Sequence, residues 1–217
     1  MIDILFEDNH LLILNKPAGL LTEPSGTDQD SLLCQAKQFL KVKYEKPGNV
    51  YLGIVHRLDK PASGIVIFAK TSKALSRLNK SMRDRKFKKM YTALVENKPP
   101  YNEASLEDYL VHDDFKATVS TKSNSLAKYC KLTYHIVKKL GNFSLLEIIL
   151  ETGRYHQIRA QLSNIGCPIV GDQKYGSHTK LPLKDTIALQ HTKLEMIHPV
   201  THEIMVFETA LTPVFSG

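Results

Sequence analysis

Cysteine is scarce in this 217-residue chain, and the three that occur, Cys34, Cys130 and Cys167, are odd in number and far apart. They form neither a disulfide framework nor a CxxC zinc or redox element, and a reducing, cytoplasmic setting is the simple reading. Long apolar runs are also missing: none approaches the roughly 20 residues of a helical membrane span. The N-terminus lacks the basic opening of a signal peptide and instead meets acids at Asp3, Glu7 and Asp8, so no membrane partner or secretion is expected. No internal repeat is present. Disorder is excluded from the other side, because 42% of the residues are hydrophobic, enough for a sizeable core.

Acids are nearly absent from one stretch. Residues 70–89 carry nine Lys/Arg and a single acid, Asp84, so this segment alone accounts for the net charge of +7 and the remainder is close to neutral. Ala74, Leu75, Leu78, Met82 and Phe87 interleave the basic residues, so the segment is expected to fold. Ser72 is the expected N-cap of a helix with Leu75, Leu78 and Met82 facing inward. A basic face on a folded element fits a polyanion such as nucleic acid, and a solvated helix surface is the bland alternative.

Elsewhere the patterning is rich in strand signals. Short apolar runs at 2–6 and 11–14 read as strand, turn and strand, and Leu32, Leu33, Ala36, Phe39 and Leu40 give helical spacing behind a cap at Asp30 or Ser31. Strand-like runs at 50–55 and 65–69 bracket the polar segment from His56 to Gly64. Further strands are expected at 90–95, 106–111, 129–137, 143–150, 187–194 and 203–207, with a hairpin turn within 138–142 supplied by Gly141 and Asn142. A short helix is expected over about 156–165, closing at Gly166. The sum is a strand-rich α+β fold with short connections.

Three polar clusters sit beside these elements. His56-Arg57-Leu58-Asp59 with Ser63-Gly64 places an acid between two cations, for which a surface ion pair is the default reading. Lys89-Met90-Tyr91 puts a tyrosine in a strand, usually a packing position. In Thr152-Gly153-Arg154-Tyr155-His156-Gln157-Ile158-Arg159, Gly153 allows a tight turn and Arg154 lies beside a helix N-terminus, where a purely structural reason for an arginine is hard to find. His112-Asp113-Asp114 with His198 and His202 raises a metal-dependent nuclease, against which Pro199 argues by breaking a helical i,i+4 pair.

Taken together, HRLDKPASGIVIFAK, KKMYTALVE and ETGRYHQIRAQLSNIGCPIVGDQKYG, in this order, resemble the RluA family of pseudouridine synthases. LLILNKPAGLL and LQHTKLEMIHPVTHE resemble that family's flanking motifs, so the likeness runs from about residue 4 to 213. The resemblance implies the pseudouridine-synthase catalytic fold, an α+β architecture with a mixed, mainly antiparallel sheet and flanking helices and loops around a central cleft. Residues 1–217 are expected to form a single catalytic domain. The NKPAG motif begins so early that no S4-type RNA-binding domain is expected before it, and target selection falls to the catalytic domain. The implied activity is isomerisation of uridine to pseudouridine in structured RNA, a tRNA stem-loop or an rRNA hairpin. It needs no cofactor and no metal, and a monomer is expected. A module of the same fold that binds RNA without catalysis is the alternative.

The same resemblance assigns roles. Asp59 is the catalytic carboxylate, adding to base or sugar or stabilising a glycosyl intermediate. Arg154 is its partner, and Tyr91 is the candidate for removing the proton from C5. Arg57 is expected to enter the space left by a flipped base, the alternative being an intramolecular pair with an acid. His56 and His156 are expected to hold the loops by hydrogen bonds, His56 close to substrate. Arg159 either anchors the sheet or touches RNA, and Lys16 either reaches phosphate or packs its loop. Lys86 and Lys88, with Lys89, are expected to flank the RNA. The chain departs from the family pattern at Ala62, Gln161, Cys167 and Gln190-His191, the last standing where His-Ala is usual.

Overall fold

The computed structural model describes residues 2–26, 29–113 and 115–215. Its architecture is α+β, as expected, with eleven strands and three α-helices among the described residues. The chain divides into two compact units, Met1–Phe87 with Thr192–Thr209, and Lys88–His191 with Ala210–Gly217.

The first unit is built on β1 (Asp3–Glu7), β2 (Leu11–Lys16), β3 (Gly53–Ile54) and β4 (Ser63–Ala69). β2 runs antiparallel to both β1 and β4, with Leu11 opposite Ala69 and Lys16 opposite Gly64. Leu11 to Leu14 and Ile65 to Ala69 are wholly buried, which explains why these strands read as continuous apolar runs rather than alternating ones. Helix α1 (Leu32–Lys43) starts where the Ser31 hydroxyl accepts the Cys34 N–H. Helix α2 (Ser72–Arg83) corrects one expectation: Thr71, not Ser72, is the cap, accepting the Ala74 N–H at 3.1 Å. Ala74 and Leu78 enter a core with Leu11, Ile13, Ile65 and Ile67, and Leu75 and Met82 pack against it. Lys73, Arg77, Lys80 and Arg83 are exposed on the opposite side. The run expected at 50–55 supplies only the two residues of β3. A methyl at Gly53 would lie 2.7 Å from Leu75 Cδ2, so glycine there lets the Leu75 side chain of α2 pack directly on the strand.

In the second unit the strands β5 (Lys88–Glu96), β9 (Phe143–Leu150), β8 (Lys128–Leu140), β6 (Glu103–His112) and β7 (Ala117–Ser120) follow one another across the sheet. Neighbours are antiparallel. β8 and β9 form the expected hairpin, tighter than the sequence implied: Leu140 pairs with Phe143 around Gly141-Asn142, with Gly141 at φ 61°. β7 carried no sequence signal of its own. It is fixed from a distance, because the Ala117 N–H donates to the Tyr175 hydroxyl at 2.8 Å. Helix α3 (Gln157–Asn164) is preceded by His156 in the left-handed region at φ 51°. Strand β10 (Leu189–Ile197) begins in this unit, ends in the first, and pairs there with β11 (Ile204–Glu208).

Candidate active site

The Asp59 loop lies between β3 and β4 and is clamped from two directions. Thr22 Oγ1 donates to the Leu58 carbonyl at 2.9 Å and accepts the Leu58 N–H at 3.2 Å, so one hydroxyl satisfies both backbone groups of the preceding residue. On the other flank the Lys60 carbonyl accepts the Gly19 N–H at 2.8 Å and Lys16 Nζ at 3.1 Å. Lys16 is fully buried at the end of β2, and its ammonium also donates to the Pro17 and Leu20 carbonyls. Of the two roles open to Lys16, this geometry is the loop-packing one. Burial pulls its pKa from 10.5 down to about 7, opposed by the negative charge of Asp59. Half-buried Asp59 closes its own turn through its carbonyl, which accepts the Ala62 N–H.

His56 accepts the Ile67 N–H at its Nε2, a tie between loop and sheet of the expected kind. Arg57 projects into solvent and pairs with Glu23, the intramolecular contact weighed as its alternative role. Exposed pairs of this kind contribute little, so the pair leaves Arg57 able to exchange Glu23 for a phosphate at small cost. Lys86 is exposed at the end of the basic segment.

In the second unit the turn carrying Arg154 is held by neutral amides. Gln157 Oε1 accepts the Thr152 hydroxyl at 2.8 Å and the Arg154 N–H at 3.0 Å, while its Nε2 donates to the Lys131 carbonyl and to Gln161 Oε1. Gln161, where the resemblance leads one to expect histidine, passes the chain on to Asp108 Oδ2 at 2.7 Å and the Leu106 carbonyl. The Arg154 guanidinium is exposed and donates through Nε to the Tyr129 carbonyl at 3.0 Å. His156 stacks on Tyr155 with centroids 3.9 Å apart and meets the Tyr175 hydroxyl at 3.0 Å, which steadies its left-handed backbone.

Tyr91 is buried in β5, its ring stacked on that of His191 at 4.5 Å and 14°. Arg159 is internal: it donates to both carboxylate oxygens of buried Asp172 at 2.6 and 2.9 Å and lies over the Tyr175 ring. Anchoring, rather than contact with RNA, is the role this geometry carries. Lys88 is exposed at the start of β5. Lys89, expected beside Lys86 and Lys88 on the RNA flank, is buried, with its ammonium against the Gly153 turn. The alternation of β5 sends it to the same face as Tyr91.

The residues beneath these turns were not singled out in the sequence. Gln157 and Tyr175 stand inside quoted motifs, but nothing in their spacing announces a hydrogen-bond hub, and Thr22 and Tyr129 carry no signal at all. The nuclease reading finds no support in the described residues, among which no cluster of three or more His, Cys, Asp or Glu is placed to hold a metal ion. His198 is instead buried against Asp8, with Nε2 3.0 Å from the carboxylate. Asp114, part of that reading, lies outside the described residues. Among the described residues no helix is long and apolar enough to cross a membrane.

Comparison with known proteins agrees with these motifs. Residues 10–164 match the family model described as RNA pseudouridylate synthase. The uncharacterized RNA pseudouridine synthase YhcT of Bacillus subtilis is 36% identical over 95% of this chain and 68% of its own length. The ribosomal large subunit pseudouridine synthase D of Nitrosomonas europaea is 35% identical over 96% of this chain. The chain spans only 61% of that relative's length. Among solved structures, human RNA pseudouridylate synthase domain containing 4 superposes with a TM-score of 0.82 at 22% identity, over 99% of this chain and 90% of its own, which shows the shared fold.

Proposed function

The chain belongs to the RNA pseudouridylate synthase family, and from that premise we propose that residues 1–217 act as one catalytic domain that isomerises uridine to pseudouridine in structured RNA. The substrate is a tRNA stem-loop or a ribosomal RNA hairpin. In the reaction the bond between uracil N1 and ribose C1′ breaks, a bond between C5 and C1′ forms, and the proton leaving C5 is balanced by one gained at N1. Asp59 supplies the carboxylate that acts on base or sugar. Tyr91 takes the C5 proton, and Arg154 supplies a cation to the reaction. Arg57 exchanges Glu23 for the RNA and fills the gap left by the flipped nucleotide.

The observation that carries this reading is the way the fold commits buried hydrogen bonds to two turns. Both backbone groups of Leu58 are clamped beside Asp59, and the Arg154 backbone is fixed by Gln157. Such pre-positioning serves chemistry more than stability. Asp59→Asn is expected to abolish pseudouridine formation, mapped on tRNA and ribosomal RNA, while RNA binding persists. Turnover retained in that variant would refute the assignment of Asp59.

A further inference from the structure

Lys89 is a buried cation that the reaction as written does not use. Only 8% of its surface is exposed. Its Nζ lies 3.6 Å from where a methyl would project at Gly153, the residue before Arg154. Among the described residues its ammonium has no carboxylate, no hydrogen-bond acceptor and no aromatic face as partner, in contrast to buried Lys16 with its three carbonyls. Burial accordingly pulls its pKa down. Withdrawing an ammonium from water without a partner costs several kcal/mol, and a strand position next to the core would hold leucine or methionine more cheaply. Sites that keep such a group against stability are those where a ligand completes it. Its neighbours specify the ligand: Tyr91 lies two residues on along the same strand face, and the Arg154 turn lies against the Nζ.

We propose that Lys89 is a substrate-contacting residue whose ammonium donates to an anionic oxygen of the bound nucleotide. Two kinds of oxygen have the right chemistry, a non-bridging phosphate oxygen and a uracil carbonyl oxygen, O2 or O4. When the N1–C1′ bond breaks, its electron pair passes to uracil and spreads from N1 onto O2 and O4. The pair returns when C5 bonds to C1′, and Lys89 keeps its proton throughout. Placing a fixed, desolvated cation where that charge develops is an effective way to lower such a barrier. The assignment rests on the isomerase reading of the same site.

The test compares Lys89→Met and Lys89→Arg with the wild type in melting temperature, in affinity for unmodified tRNA transcripts and ribosomal RNA over a range of salt, and in single-turnover pseudouridine formation. The proposal expects Lys89→Met to melt no lower than the wild type. A phosphate contact shows as at least tenfold weaker RNA binding with a flatter salt dependence. A uracil-oxygen contact shows as at least a tenfold slower single turnover at unchanged affinity. Lys89→Arg, which keeps the charge, retains more of whichever property is lost. The proposal is overturned if affinity and rate both stay within twofold of the wild type, or if Lys89→Met melts lower while the rate per folded molecule is unchanged. Should the wild type form no pseudouridine on any RNA offered, the isomerase reading falls, and affinity alone then decides Lys89, an unchanged value overturning it.

Discussion

The two functional turns are braced by opposite means. Beneath the Asp59 loop the strut is a charge: the Lys16 ammonium, fully buried, gathers the carbonyls of Pro17, Leu20 and Lys60. Beneath the Arg154 turn the strut is neutral, a relay of Thr152, Gln157 and Gln161 amide and hydroxyl groups that ends on Asp108. Lys16 offsets part of its own desolvation through the field of the Asp59 carboxylate, which is why its pKa is held down only to about 7. Beneath Arg154 neutral amides fix the backbone without adding charge of their own, and the Lys89 ammonium against the Gly153 turn is the exception.

That contrast breaks most severely at Arg159, which lies on the same helix as Gln157 and forms a buried ion pair with Asp172. Arg159→Met leaves Asp172 buried and unpaired, a loss of about 3–5 kcal/mol in urea unfolding. Adding Asp172→Asn to that variant should recover much of it, and no recovery would argue against the pair as the cause.

Gln157→Leu cuts the neutral brace at its centre. It is expected to lower the single-turnover rate by about a hundredfold, the cost of a misplacement near 1 Å, with RNA affinity nearly intact. A variant that lost affinity but not rate would show that Gln157 supports binding instead.

The basic helix tests a third contribution, one of exposed charge. Lys80→Glu with Lys86→Glu should weaken RNA binding at low salt and flatten its salt dependence, each lost phosphate contact reducing the slope by roughly one. Affinity unchanged at low salt would leave α2 as a solvated surface without disturbing the assignment of the active site.

A pH dependence sharpens the comparison between the braces themselves. Lys16 has a folded pKa near 7 against 10.5 when free, so between these values the unfolded chain binds more protons than the folded one. Stability attributable to Lys16 therefore rises with pH across that window and levels off below about 7, where both states are protonated. Subtracting the unfolding free energies of Lys16→Met should reveal this slope, whereas the same subtraction for Gln157→Leu should give none.

Particular elements show where sequence reasoning reached and where it stopped. β2 and β4 were legible because their apolar runs are continuous, and the hairpin of β8 and β9 because Gly141 permits a positive φ. β7 was not, because a four-residue strand in a polar segment owes its place to Tyr175, 58 residues away along the chain. The cap of α2 slipped by one residue since Thr71 and Ser72 have equivalent hydroxyls and only backbone geometry chooses between them. Asp59, Tyr91 and Arg154, the groups proposed to react, stand out through motifs. The hydroxyl and amides that hold the Asp59 and Arg154 turns, those of Thr22, Gln157 and Gln161, look in sequence like any other polar residues.

What the sequence determined by itself is the family, the strand-rich α+β pattern and the chemical identity of the functional groups, because these are properties of local composition and order. Only the tertiary structure decided which cations face solvent and which are buried. Lys16, Lys88, Lys89, Arg57 and Arg159 are alike as letters, yet the fold makes one a buried strut, another an internal ion pair and a third an unpartnered charge against the Gly153 turn. The reason is physical: the role of a charge depends on how much water it keeps and what stands opposite it, and both are set by residues distant in the chain.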